Sequence, residues 1–402
     1  MRSILLLLST TCALGIAACS ERSDPMSVDD GSELQPSKQQ PVYEIAQLPS
    51  LEGAGSSGNG INNQGDAAGF SNLMGGQISH AVLWRSGSAI DLGTLGGPGT
   101  NSNVAWPGLN NHGMVVGIAE TDEPGGENWP CQFFFASSTG HQCLGFVWEN
   151  GVMTPLPTWP GGTNGFATGI NNRGQVVGWA ENGVEDPTCN APVVHQFRAF
   201  KYDTGTGGME ELAPLPGDST SAATAINQSG QVVGISGECA NAVGGFSAQH
   251  AVLWGRNGTP TEIDNLGGDA WHTPMDINEH GDVVGFGNPA SVPGDAFGIH
   301  AFYWTRHGGI EDLGVFDGDN TSQALGINDR GQVVGVSSGP GDDTAFLWEG
   351  GELIDLNTLA PDYKGTLIVA GHINDAGVIT GVARDADTGE LVTFIATPRG
   401  RQ

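Results

Sequence analysis

Short apolar runs alternate with turn residues along most of this chain, and no window carries the sustained three-to-four-residue spacing of an amphipathic helix. The clearest unit reads GINNRGQVVGWA at 169–180. Two β-rich runs joined by Asn-x-x-Gly predict an antiparallel hairpin, in which Asn171 opens the turn and Gly174 supplies the positive φ at its last position. We call this unit the INxxG turn.

The INxxG turn occurs seven times, and two further apolar elements follow it in a fixed order. The second element is typified by HAFYW at 300–304 and ends in Trp or Tyr in six copies; the third is typified by IDLGTLGG at 90–97. Four short strands in roughly fifty residues is the size of one β-propeller blade, and we expect the large aromatics to pack between blades. The asparagines that open the turns are Asn62, Asn110, Asn171, Asn227, Asn278, Asn328 and Asn374.

The position of the last copy predicts how the ring closes. The third element follows its partners only six times, and its seventh copy stands before the first INxxG turn, in VYEIAQLPSLEG at 42–53. An N-terminal strand that completes the last blade would explain this displacement. The sequence therefore predicts one all-β domain at 42–398, a seven-bladed β-propeller of four-stranded antiparallel blades, closed by residues 43–49.

These elements resemble the HAF family of extracellular repeat proteins, named for the tripeptide that stands intact at His300-Ala301-Phe302. The resemblance covers essentially the whole mature chain, although copies 2, 3 and 7 depart from the tripeptide. It implies export and a repeat β architecture, and it brings no catalytic residues to transfer. His80, His250 and His300 share one register position, which a ring places far apart, so we expect strand-edge residues rather than ligands of one metal.

The N-terminus predicts export and attachment to a membrane. Residues 1–18 read as a signal peptide, and Ile16-Ala17-Ala18-Cys19 resembles the bacterial lipobox, in which the cysteine is lipidated. Residues 19–41 are the lipidated Cys19 and a polar, flexible tether. We expect a monomer anchored by its N-terminal lipid at the outer membrane or cell surface. An ordinary signal peptide with an incidental Cys19 is the alternative.

The acidic charge balance limits the classes of partner that the chain can bind. Lys plus Arg number 14 against 44 Asp plus Glu, a formal net charge of −30. Such a chain does not bind nucleic acid through phosphate neutralisation, and it attracts cations.

The loops predict which face of the ring carries function. We label the strands of each blade a to d in chain order, with the INxxG turn between a and b. The a–b and c–d turns lie on one face, and the b–c and d–a connections on the other. The a–b turns are uniform, whereas the b–c connections of blades 2, 3 and 4 are long, at 120–143, 181–197 and 237–249. Variable loops on a rigid framework commonly carry binding, so we expect function on the b–c/d–a face.

Four cysteines lie in these three connections. Export permits disulfide bonds, and four cysteines allow three connectivities. We favour Cys131–Cys143 as a bridge within one connection and Cys189–Cys239 as a bridge between neighbouring blades. A Cys₄ zinc site is the alternative, although the chain has no CxxC pair there.

The same face carries the candidate contacts. Residues that break the repeat near the upper end of the channel, and an acid beside them, are the ligand-binding candidates: Trp106, Asn164, Phe166, Asp269, Trp271, His272 and Asn320. Aromatics beside acids would suit stacking on sugar rings. Ca²⁺ is the one cofactor candidate, on acidic runs that ordinary turns also explain: Asp317, Asp319, Asp385 and Asp387.

Three functions fit these features, and the sequence lacks HExxH and phosphate-loop motifs. We favour a non-enzymatic, surface-anchored propeller that binds an extracellular polysaccharide or envelope protein through the b–c/d–a face. A purely structural envelope protein is one alternative. The other is a glycan lyase or hydrolase that uses carboxylates or histidines of this face: Glu181, Glu185, Asp186, His195 and His272.

Overall fold

Each INxxG turn connects two hydrogen-bonded antiparallel strands, and seven four-stranded antiparallel sheets follow one another in a ring. This computed structural model confirms the predicted seven-bladed β-propeller. It describes residues 40–125, 129–135, 137–189, 193–239, 249–290 and 298–400. The signal segment, Cys19 and nearly all of the tether lie outside the described residues.

The strands follow the predicted order. The closing strand is β1 Tyr43–Gln47, and the remaining strands are, by blade: β2 Ser56–Ile61, β3 Ala67–Asn72, β4 Ser79–Arg85 and β5 Ser88–Asp91; β6 Ser102–Asn103, β7 Val115–Pro124, β8 His141–Glu149 and β9 Val152–Pro155; β10 Gly165–Ile170, β11 Gln175–Glu185, β12 His195–Asp203 and β13 Gly208–Leu212; β14 Thr220–Ile226, β15 Val232–Gly237, β16 His250–Trp254 and β17 Pro260–Glu262; β18 Gly267–Ile277, β19 Val283–Pro289, β20 His300–Thr305 and β21 Gly309–Gly314; β22 Thr321–Ile327, β23 Val333–Ser338, β24 Thr344–Glu349 and β25 Glu352–Asp355; β26 Thr366–Ile373, β27 Ile379–Arg384 and β28 Leu391–Pro398. Between β7 and β8 lies the short helix α1 Trp129–Phe134. No described helix is long and apolar enough to cross a membrane.

The N-terminal strand closes the ring. β1 is the outermost strand of blade 7 and pairs antiparallel with β28, from Tyr43 opposite Pro398 to Gln47 opposite Phe394. Tyr43 is 2% exposed and packs in the cluster that includes Leu356 and Phe394. Residues 43–47 of the predicted closing segment are therefore strand d of the last blade.

The core is a series of layers between blades. Adjacent valines of one strand b pack toward opposite neighbours, because side chains alternate across a sheet. Val333 belongs to a cluster with Val284 of blade 5, and Val334 to one with Leu367 of blade 7. The aromatic residues that end strand c pack in the same layers, as predicted, and Trp84 also donates its indole N–H to the Pro49 carbonyl at 2.7 Å.

The INxxG asparagines form a closed ring of hydrogen bonds. Each side-chain oxygen accepts the backbone N–H four residues on within its own turn; for Asn171 this donor is Gln175. Each side-chain NH₂ donates to the backbone carbonyl of the equivalent asparagine in the next blade, at 2.9–3.3 Å, and Asn374 returns to Asn62. All seven asparagines are buried. Because this geometry needs one acceptor and one donor on a short side chain, it accounts for Asn in every copy.

Candidate functional site

Three long connections build the predicted functional face. They join β7 to β8, β11 to β12 and β15 to β16, on the side of the ring away from the INxxG turns, and we call this surface the braced face. One disulfide, Cys131–Cys143, lies within the blade 2 connection with Cα atoms 5.7 Å apart. The other, Cys189–Cys239, joins blades 3 and 4 with Cα atoms 4.6 Å apart. Both pairings are those that the sequence analysis favours.

An aromatic cluster lies beneath these connections. The α1 residue Phe134 stacks edge-on against Trp106 and Phe166, with ring centroids 5.7 and 4.5 Å apart. Phe166 continues to Trp179, which contacts Phe197. All four cysteines belong to or pack against the same cluster. The connections over blades 2 to 4 therefore form one packed layer.

This packing assigns different roles to the predicted ligand contacts. Phe166 and Asn164 are fully buried, so in this structure neither presents a surface to a ligand. Trp106 is only half-buried, and its indole N–H has no acceptor among the described residues. Trp271 is half-buried and donates to Thr273 Oγ1 at 3.1 Å.

Two buried glutamates stabilise the connections by accepting hydrogen bonds from backbone N–H groups. Glu181 accepts the backbone N–H groups of Thr163 and Asn164, at 3.2 and 3.0 Å, and the Asn164 side chain in turn accepts the Cys143 N–H. Glu120 accepts the Asn101 N–H at 2.8 Å and the Thr139 N–H at 2.7 Å in the equivalent place of blade 2. The Glu181 carboxylate, which is a predicted catalytic candidate, therefore binds loop N–H groups and stabilises the connection.

Glu120 is not among the predicted site residues, although the sequence carries a signal for it. Both glutamates end a VVGxAE run, at 115–120 and 176–181, and no other copy ends strand b in this way. The two blades concerned carry long b–c connections. A carboxylate at this position can satisfy several loop N–H groups at once.

Asp186 also has a local role. It accepts the Thr188 N–H at 2.8 Å and the Gln196 side chain at 3.2 Å, as a turn-forming aspartate does. Burial, the largest influence, raises its pKa, but the hydrogen bonds from Ser219, Thr188 and Gln196 outweigh burial and leave the pKa lowered.

The calcium candidates lie in ordinary turns. Asp385 accepts the backbone N–H of Thr388 at 2.8 Å and the side chain of Gln47 at 2.8 Å, and these bonds, with Gln47 first, lower its pKa to about 2. Asp319 accepts Ser337 Oγ at 2.6 Å. Asn320, Asp317 and Asp387 are exposed, and the Asp269 side chain lies outside the described residues. Within the described ranges, no three His, Cys, Asp or Glu residues are arranged to hold a metal ion.

The repeated histidines bind acids on the next strand. Nδ1 of His80 lies 2.9 Å from Asp91, and Nδ1 of His300 lies 2.9 Å from Asp312. Burial, the largest influence, raises the pKa of each aspartate, but the histidine and a backbone N–H of Gly93 or Gly314 bring it below its ordinary value. The histidine of the tripeptide therefore joins strands c and d.

His272 has the most strongly shifted pKa among the described groups near the braced face. It is 2% exposed, and neither ring nitrogen forms a well-aligned hydrogen bond within the described part of the chain. Burial lowers its pKa from 6.5 to about 4, and the Gly268 backbone only partly offsets that effect. The imidazole is thus neutral at neutral pH.

Replacing His272 with Phe is expected to remove a pH dependence of stability. The folded-state pKa lies below the unfolded value, so unfolding takes up a proton as pH falls from 6.5 to about 4. Folding stability is therefore lost on acidification, by about 3 kcal/mol for a shift of this size. Urea unfolding at pH 7.5 and 4.5 measures this, with exposed His280→Gln as the control. Equal pH slopes for wild type and His272→Phe would contradict the assignment.

The opposite face contains an unexpected concavity. A cavity of about 150 Å³ lies on the propeller axis at the INxxG end and is lined by residues of all seven blades. The uniform INxxG turns predict only a structural role for this end of the ring. The INxxG turns therefore hold the ring and also surround a cavity.

Comparisons with known proteins bear on the fold. The sequence matches no protein-family model, and no curated protein matches it. Among solved structures, the acylaminoacyl peptidase of Pyrococcus horikoshii is similar, with a TM-score of 0.50 and 11% identity over 85% of this chain and 51% of that one. This chain thus spans about half the length of that peptidase.

Two further solved structures are similar. An oligogalacturonate lyase in complex with manganese has a TM-score of 0.50 and 11% identity over 90% of this chain and 98% of that one. TolB from Acinetobacter baumannii has a TM-score of 0.37 and 9% identity over 89% of this chain and 81% of that one. At 11% identity, the likeness to the peptidase and to the lyase bears on the β-propeller fold alone and leaves function to the site itself.

Proposed function

We propose that this protein is an exported, non-enzymatic propeller that binds an extracellular polysaccharide or envelope protein through the braced face. The single observation that carries the proposal is the packing of three long connections, by two disulfides and one aromatic cluster, into a continuous layer over blades 2 to 4. Ordering a large loop surface in advance lowers the entropy that binding must overcome.

Two observations bear on location. Disulfide bonds form and persist in oxidising compartments, which supports export. The lipobox at 16–19 supports attachment through Cys19 at the outer membrane or cell surface. A lipid anchor on a flexible tether would leave the braced face free to meet a large extracellular ligand.

The enzyme alternative has less support. Glu181 holds backbone N–H groups and Asp186 closes a turn, so two of the proposed carboxylates have structural partners. Catalytic sites of hydrolases and lyases gather titratable groups around a substrate-sized pocket. The cavity found on the axis lies at the other face.

Removing one tip of the braced face is expected to weaken binding at least tenfold. Residues 186–194 lie between Glu185 and His195, which pair across the hairpin, so a two-residue Asn-Gly turn can replace them, together with Cys239→Ser. The matched control replaces 386–389, the tip of the blade 7 b–c turn, in the same way. Binding is measured on an array of bacterial polysaccharides and by capture from solubilised envelope proteins.

The expected result is binding to one of the two ligand classes by wild type and by the control, and loss of at least tenfold in affinity for the 186–194 replacement. Circular dichroism checks that both variants remain folded. Undiminished binding by the 186–194 replacement, or equal loss in the folded control, would overturn the assignment of binding to the braced face.

A further inference from the structure

At the inner end, or floor, of the axial cavity at the INxxG end, two residues depart from the residue type that the repeat has there. The residue before the Ile or Leu of each INxxG turn is small in five blades: Gly60, Gly108, Gly169, Ala225 and Gly326. In blades 5 and 7 it is Asp276 and His372. A Cβ at Gly326 would lie 2.9 Å from His372 Cδ2, so the small residue makes room for the imidazole.

Asp276 and His372 contact each other at the axial cavity. His372 Nε2 lies 3.2 Å from Asp276 Oδ2, which also accepts the Ile327 N–H at 3.0 Å, and His372 Nδ1 lies 3.3 Å from the Ile61 nitrogen. Asp276 is 8% exposed. These contacts fix a carboxylate and an imidazole at the inner end of the cavity.

The rim of the cavity carries a second closed ring of hydrogen bonds. The side-chain oxygen of the residue after each ring asparagine accepts the backbone N–H of its counterpart in the preceding blade, as Asp329 does for Glu279 at 2.9 Å. The ring runs through Asn63, Asn111, Asn172, Gln228, Glu279, Asp329 and Asp375.

The charge on this rim is not needed to complete the ring. Neutral amides accept the N–H in blades 1 to 4, whereas blades 5 to 7 use carboxylates. Glu279 and Asp329 each use one oxygen in the ring, and their second oxygens accept no hydrogen bond from a described residue. Two carboxylate oxygens at the cavity mouth are therefore available to a ligand.

We propose that this cavity binds a small organic cation that carries primary ammonium groups. Four carboxylates line it, from Asp276 at the floor to Glu279, Asp329 and Asp375 at the rim, against the single imidazole of His372. The protein's charge of −30 reinforces attraction of cations. Isoleucines that line the cavity, such as Ile226 and Ile327 at 9% and 5% exposed, offer apolar surface to an alkyl chain.

The spacing of these acids distinguishes an organic cation from a metal ion. A metal ion requires several ligands converging within one short coordination distance, and within the described part of the chain no three acidic or histidine side chains are so arranged. An alkyl diammonium ion can instead place hydrogen-bond donors at separate carboxylates. The cavity of about 150 Å³ limits the ligand to a few heavy atoms.

Calorimetric titration of the folded protein with 1,4-diaminobutane at low ionic strength tests the proposal, with 1,4-butanediol as the neutral probe of matched length. Glu279→Gln with Asp329→Asn gives blades 5 and 6 the amides that blades 1 to 4 already use, so the ring is retained. The control is Glu349→Gln with Glu352→Gln, which removes two charges from exposed residues of the blade 6 c–d turn on the same face.

We expect one diamine per chain, no binding of the diol, an affinity at least tenfold lower in the rim variant and no more than about twofold lower in the control. Methyl resonances of Ile226 and Ile327 should shift on titration. Equal weakening in both variants would indicate general charge attraction, and tighter binding of Ca²⁺ at the same carboxylates would indicate a metal site. Either outcome, or absence of diamine binding, would overturn the proposal. None of these results depends on the braced face.

Discussion

Deleting residues 40–49 from the full chain is expected to abolish the single cooperative unfolding transition of the propeller. The deletion removes β1 and leaves β28 paired only with β27, so one side of the β28 backbone loses its hydrogen-bond partners. It also removes Tyr43 from the cluster between blades 6 and 7. Without β1, β28 becomes the outer edge of a three-stranded blade, so the deletion also favours association through that edge. Tryptophan fluorescence in urea and size-exclusion chromatography measure the two effects.

A point substitution gives a graded version of the same test. Tyr43→Ala should lower the free energy of unfolding by about 3 to 5 kcal/mol, as for a large buried aromatic side chain. Val42→Ala, at a position 39% exposed, should cost less than about 0.5 kcal/mol. A synthetic peptide of residues 40–53 should restore cooperative unfolding to the deleted chain. A deleted chain that unfolds like wild type would contradict closure by β1.

The second prediction concerns the asparagine ring. Asn171→Ala should lower the free energy of unfolding by about 3 to 5 kcal/mol, because it leaves the N–H groups of Arg173 and Gln175 without their side-chain acceptor. It also removes one of the two donors to the Asn227 carbonyl, which keeps the Gly230 N–H. Each buried polar group left unsatisfied costs about 1 to 3 kcal/mol. Urea denaturation measures the loss.

The neighbouring rim residue supplies the control. Asn172 accepts one hydrogen bond, from the Asn111 N–H at 2.8 Å, and is half-buried, so Asn172→Ala should cost only about 1 kcal/mol. Asn171→Asp keeps the acceptor and loses the donor, so we expect an intermediate effect. Equal losses of unfolding free energy for Asn171→Ala and Asn172→Ala would show that the ring of INxxG asparagines contributes no more to stability than the rim residues do.

The repeat made the fold predictable. Seven copies of one element fix the number of blades, and the displaced copy at 42–53 identifies the closing strand, because a blade that lacks its last strand has only one other source for it. The disulfide partners followed from loop positions on adjacent blades. Regular spacing carries this information without any knowledge of side-chain contacts.

The candidate site was less predictable, for physical reasons. Phe166 breaks the repeat at the upper end of the channel, but α1 packs Phe134 over it, and nothing in the local pattern near Phe166 signals that contact. Asp276 and His372 stand 96 residues apart and meet only because the first strands of blades 5 and 7 both line the axial cavity. Comparing aligned copies at the position before each INxxG turn would have found both residues.

Hydrogen exchange in the presence of a bound polysaccharide or envelope protein is the most direct test of the division between the two faces. With the ligand identified by the binding screen, we expect added protection in the connections of blades 2 and 3, at 129–135 and 186–189, and unchanged exchange at the seven INxxG turns. Protection confined to the INxxG turns, with none on the braced face, would contradict the proposed function.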